Sequence, residues 1–77
     1  MMKALVEHIA KELVDHPNDV HVTEQDKDDV ILIELSVHPD DMGKVIGKQG
    51  RTAKAIRAVV YATATMRNKR VRIDIID

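Results

Sequence analysis

Seventy-seven residues, 44% hydrophobic and without a cysteine, describe one small domain that must be held together by its apolar core, with no disulfide, no thiolate metal site and no second domain. No stretch approaches the roughly 20 apolar residues that a membrane span needs, and the start MMKALVEHIAKELVD lacks the unbroken apolar run of a signal peptide, so a cytoplasmic location is expected. The net charge of −1 hides an asymmetry: residues 1–41 carry three lysines against eleven acids (−8), and residues 42–77 carry nine Lys and Arg against two acids (+7), which points to one face suited to a polyanion.

From Met2 to Asp15, Leu5, Val6, Ile9, Ala10, Leu13 and Val14 recur at helical spacing and predict an amphipathic helix, ended by HPND because Pro17 disfavours a helical His16. VHVTEQ alternates Val20 and Val22 with polar residues and predicts a half-buried strand, followed by a turn at DKDD. VILIELSV places Ile31, Ile33, Leu35 and Val37 on one face of a second strand. HPDDMGKVI supplies a proline and two aspartates at the start of a short helix that ends at Gly47. A long helix follows Gly50 and runs to about Met66, with Thr52, Ala53, Ile56, Val59, Val60, Thr63 and Met66 as its expected buried stripe. RNKR is a basic connector, and VRIDII, with Val71, Ile73 and Ile75 on one face, is the last strand. The predicted order is αββααβ.

All three glycines fall within GKVIGKQG. Gly47 and Gly50 bracket a hinge between two helices, where positive φ and close approach to bare backbone become possible. The free N–H groups and positive dipole end of the following helix lie beside the hinge, and Lys44, Lys48 and Arg51 add charge, so a phosphate is its natural occupant. The bland reading is an ordinary helical hairpin with Gly47 as a C-cap.

The loop VIGKQGRTAKAIR, set in an αββααβ frame, resembles the KH domain in its type II topology, in which a GXXG loop grips the backbone of about four nucleotides. In size and loop sequence the chain is similar to the small stand-alone bacterial KH proteins of the KhpA (YlqC) family. The resemblance implies an α+β fold over residues 1–77, with a three-stranded mixed sheet and three helices on one face. It implies that Gly47, Lys48, Gln49 and Gly50 form the phosphate clamp, with Val45 and Ile46 before it and Arg51 and Lys54 after it. A variable loop, MRNKR, would supply Arg67, Lys69 and Arg70 on the opposite side of the groove. Many KH sequences carry a bulky aliphatic three residues after the second glycine; here it is Ala53, implying a shallower apolar floor. The family further implies single-stranded RNA as the partner, a role as RNA chaperone or post-transcriptional regulator, and a link to cell elongation and division. It also implies pairing, with a second copy or with a larger KH-containing protein of the Jag/KhpB type.

Tyr61 is the one aromatic residue, so the stacking platforms of RRM and many single-strand binders are missing. The competing reading is a protein-interaction module: Ala55, Ala58, Tyr61, Ala62 and Thr65 form an apolar outward face on the long helix and a candidate dimer interface. His8, Glu12 and His16 share a helical face, but the outer two are about 12 Å apart along an ideal helix, so no metal or other cofactor is expected. Nor is there a nucleophile with a positioned base, and the chain reads as a binding protein, not an enzyme.

Overall fold

The computed structural model describes residues 2–76. Helix α1 (Met2–Leu13) leads through a short 3₁₀ turn (Pro17–Asp19) into β1 (His21–Lys27) and β2 (Val30–Ser36). A second 3₁₀ turn (Pro39–Asp41) precedes α2 (Met42–Ile46), and after the glycine loop come α3 (Arg51–Met66) and β3 (Arg70–Ile76). The αββααβ order is the one expected. α1 stops two residues short of the expected Asp15, and β1 runs on through Asp26 and Lys27 because the hairpin needs only Asp28 and Asp29 to turn, with Asp28 left-handed at φ 50°. Aspartate tolerates that conformation through its own local hydrogen bonding.

β1 pairs antiparallel with β2, and β2 pairs parallel with β3, giving the order β1-β2-β3. One face is apolar because Val22, Ile31, Ile33, Leu35 and Ile73 all point to it, and against them pack Met2, Val6 and Ala10 of α1 and Ile56, Val60 and Ala64 of α3. The three helices share this face. The other face, including Gln25, Glu34, Arg72 and Asp74, is open.

The buried stripe of α3 differs from the expected one. Ala53, Ile56, Val60 and Ala64 are buried, whereas Val59 is 44% and Met66 87% exposed. At about 100° per residue, Val59 and Met66 fall more than a quarter turn from the centre of the buried stripe. α3 ends in a Schellman motif: left-handed Asn68 (φ 57°) lets its own N–H reach Thr65 O and the Lys69 N–H reach Ala64 O, each at 3.0 Å. This turn delivers the chain to β3, where Arg70 N–H donates to Asp29 O at 2.9 Å.

Candidate nucleic-acid interface

Gly47 caps α2, donating its N–H to Gly43 O at 2.9 Å, and then departs with φ 77° and ψ 174°. A Cβ there would lie 2.7 Å from Thr52 Cβ and 2.8 Å from Thr52 N, so both the conformation and the close approach of α3 require glycine. Gln49 (φ 57°) and Gly50 (φ 75°) are left-handed as well. The loop is thus a sharp turn whose tip side chains, Lys48 and Gln49, are exposed. Among the described residues no side chain caps the first turn of α3, which leaves its N-terminal dipole facing solvent beside the tip.

Lys48, Arg51 and Lys54 project here, exposed, and none has an ion-pair partner among the described residues. Ile46 is half-buried beside them. Beyond Arg51, an apolar groove of about 240 Å³ runs between α1 and α3, lined by Ile9, Leu13, Thr52, Ala55, Ile56 and Val59. Ala53 is buried under the start of α3.

Four of the expected RNA-binding residues are placed differently. Val45 has 0% exposure and belongs to the core, so it supports the loop from beneath instead of lining a groove. Arg67, Lys69 and Arg70 do not flank the loop: they lie at the far end of α3, whose 16 residues span about 24 Å at 1.5 Å per residue. Lys69 Nζ is held there by both carboxylate oxygens of Asp26 (2.8 and 2.6 Å), and Arg70 by Asp29 (3.1 Å). The reason is topological: β3 is parallel to β2, so α3 must run back along the sheet and carry its C-terminus to the end opposite the glycine loop. Lys44 is also engaged, in a pair with Asp15 that raises its pKa chiefly through their hydrogen bond.

The residue that anchors this region was not among those singled out from the sequence. Asp41, immediately before α2, is 1% exposed and the one buried charged residue among those described. It accepts hydrogen bonds from Asp15 N–H (3.2 Å), His16 N–H (3.0 Å) and His16 Nδ1 (2.9 Å). Burial by itself pushes the Asp41 carboxyl up; the His16 ring and the two backbone N–H groups outweigh it and hold the pKa below its ordinary value. The hydrogen bond to Asp41 raises the pKa of His16 in return. The His16 ring stacks on His38 (centroids 4.1 Å apart, 14° between planes), and His38 Nδ1 accepts from Asp40 N–H at 3.0 Å. His16 therefore lies beyond α1 and turns away from His8 and Glu12, dissolving the helical triplet seen in the sequence. The presence of Asp beside a short helix is the only sequence signal for this arrangement, and it reads as well for a solvated first turn.

On α3, Ala58, Ala62, Tyr61 and Thr65 lie off the buried stripe; Ala58, Tyr61, Ala62 and Thr65 all face away from the centre of the core. Tyr61 and Thr65 lie on the flank toward β3, where they share a groove of about 300 Å³ with Ala64, Lys69, Arg70 and Val71. No helix among the described residues is long and apolar enough to cross a membrane.

A family model described as KhpA/KhpB, KH domain, matches residues 3–75. The chain is 72% identical over 76 residues to the RNA-binding protein KhpA of Halalkalibacterium halodurans, covering 99% of this chain and 100% of the relative. It is 63% identical over 75 residues to the Clostridium perfringens protein of the same name (97% and 100% covered) and 50% identical over 76 residues to that of Bacillus subtilis (99% and 94%). Among solved structures, Era in complex with MgGDPNP and nucleotides of 16S ribosomal RNA superposes with a TM-score of 0.66 at 19% identity, over 96% of this chain and 28% of Era. That likeness is one of fold.

Proposed function

Because the chain belongs to the KhpA/KhpB family of KH domains, we propose that it binds single-stranded RNA by gripping about four nucleotides at the Gly47–Gly50 loop. One observation carries the reading: the turn that only glycine can make at Gly47 brings together, at the start of α3, three cations, Lys48, Arg51 and Lys54, that have no ion-pair partner among the described residues. Backbone N–H groups and mobile charge at one point suit a phosphodiester. Relatives bearing the name RNA-binding protein support the choice of ligand.

With a single aromatic residue and a grip that is mainly electrostatic, one such loop binds weakly, in the roughly micromolar range or above. The protein acts by binding and not by catalysis, as a cytoplasmic RNA chaperone or post-transcriptional regulator, with the link to elongation and division that its family implies. It works as a pair, with a second copy or with a larger Jag/KhpB-type protein, which adds avidity to a weak site.

Lys48→Asp with Gln49→Asp tests the clamp. Aspartate accepts the left-handed conformation of position 49, so the fold survives while two carboxylates face the phosphates. Fluorescence anisotropy with a short labelled single-stranded RNA at low salt should read affinity weakened at least about tenfold. Parental binding by the folded variant refutes the clamp and favours a pure protein-interaction module.

A further inference from the structure

Cations follow one another at three-residue spacing from the glycine loop onto α3: Lys48, Arg51, Lys54 and then Arg57. The first three form the clamp; Arg57, half-buried, likewise has no ion-pair partner among the described residues. Lys54, Arg57 and Tyr61 stand at i, i+3 and i+7, which puts them on one face of the helix. Tyr61 fixes where that face points, since its side chain lines the groove of about 300 Å³ toward β3 and is 46% exposed there.

A strand leaving the loop has two ways along α3. Toward α1 it meets Ile9, Leu13, Thr52, Ala55, Ile56 and Val59, a lining without charge that gives a phosphate chain nothing to follow. Toward β3 it passes Lys54 and Arg57 and arrives at the one aromatic ring of the chain. Past Tyr61 the basic side chains are engaged: Asp26 holds Lys69 and Asp29 holds Arg70. Between Gly50 and Tyr61 the helix rises about 16 Å at 1.5 Å per residue, and four stacked nucleotides at 3.4 Å each cover about 14 Å. From this spacing we propose that Tyr61 stacks on the base next beyond the four gripped at the loop, with Arg57 on the phosphate that leads to it.

The inference rests on the reading that the loop grips single-stranded RNA, and extends its footprint by one nucleotide. Stacking on an aromatic ring tolerates any base, because every base has a π-face, so Tyr61 adds affinity without selecting a sequence. The ring also supplies its own signal: the chain has no Trp and a single Tyr, so its intrinsic fluorescence is that of Tyr61.

Adenylate oligomers of four and of six nucleotides, titrated into the full chain at low salt, separate the loop from the ring. Affinities are read from the loop amides by NMR, and fluorescence is corrected for absorption by the RNA. The hexamer should bind at least about fivefold more tightly than the tetramer and quench Tyr61, while the tetramer leaves its emission as it was. Tyr61→Ala should bring the hexamer down to the affinity of the tetramer, and Tyr61→Phe, which keeps the π-face, should retain the advantage. Arg57→Gln should lower the salt slope of hexamer binding by about 0.7. Circular dichroism and sedimentation equilibrium follow the fold and oligomeric state of each variant.

Equal affinity of the parent for both lengths, or an advantage that persists in Tyr61→Ala, overturns the stacking and leaves the clamp standing. So does equal loss in the Ala and Phe variants. A loss that comes with a changed oligomeric state gives the ring to a contact between copies and overturns the proposal. An unchanged salt slope in Arg57→Gln overturns the path past that residue. A parent that binds neither length overturns the clamp and, with it, everything built on it.

Discussion

Alanine placed at each glycine in turn measures the loop, because the three sites need glycine for different reasons. At Gly43, within α2, an added Cβ meets nothing within 4 Å, and the backbone is helical, so Gly43→Ala stabilises by about 0.5–1 kcal/mol. At Gly50 the Cβ again meets nothing, but φ is 75° and ψ 13°, a left-handed conformation that costs an alanine about 1–2 kcal/mol. At Gly47 two penalties combine. The φ of 77° with ψ 174° lies in a region reserved for glycine and costs about 1–3 kcal/mol. The Cβ also falls 2.8 Å from the Thr52 backbone nitrogen, which cannot yield without moving the first turn of α3. We expect a total of at least about 3 kcal/mol for Gly47→Ala, against a whole-domain stability of roughly 4–12 kcal/mol. At about 4–8 °C per kcal/mol for a domain of this size, thermal melts should rise slightly for Gly43→Ala and drop by about 4–16 °C for Gly50→Ala. Gly47→Ala should fall furthest, by at least about 12 °C. A Gly47→Ala protein no less stable than Gly50→Ala would refute the packing of Gly47 on Thr52 as the reason for glycine.

The His16–Asp41 pair gives the protein a defined pH profile. His16, raised above 6.5, contributes stability fully below that value and loses it as pH rises through the folded pKa. Asp41, lowered below 3.8, contributes above that value and loses it as pH falls through its own. The pair is therefore strongest between those limits. Asp41→Asn should flatten both limbs of the melting-temperature profile and return the His16 imidazole titration, followed by NMR, to the ordinary range; an unmoved titration would sink the assignment. Neutralising Lys48, Arg51 and Lys54 should reduce the salt slope of RNA binding by about 0.7 for each phosphate left without its cation. Neutralising Arg67, Lys69 and Arg70 should leave that slope as it was, and a matching reduction would place RNA along the whole of α3.

Element order was legible because each segment has one dominant period: alternation over Val20–Val22 and Ile31–Val37, helical recurrence over Leu5–Val14 and Ala53–Val60. The glycine loop was legible because Gly47 and Gly50 are costly anywhere a turn does not need them. What escaped was long-range. That Lys44 pairs with Asp15 and Lys69 with Asp26 depends on elements brought together across the fold, and nothing local distinguishes a paired lysine from a free one. Asp41 looked like one of two interchangeable acids at a helix start, yet only it turns inward toward the end of α1. Distance misled too: Arg67 to Arg70 follow the loop closely in sequence, but a straight helix intervenes and separates them.

The parallel pairing of β2 with β3 has a consequence for ligand linkage. Two parallel neighbours cannot be joined by a tight turn, so the chain from Val37 to Lys69 crosses back over the sheet, with the glycine loop in its first half. The loop is part of the covalent route between two strands that share the core, and its geometry is set by the packing of α3 on α2 at Gly47 and Thr52. A strand of RNA held there would bind the folded chain and not the unfolded one, adding about 2.7 kcal/mol of stability at a hundredfold excess over its dissociation constant. Occupancy of the loop would thereby be reported at Ile73, on the far side of the crossover, as slower exchange of the amides that pair the last strand to the sheet.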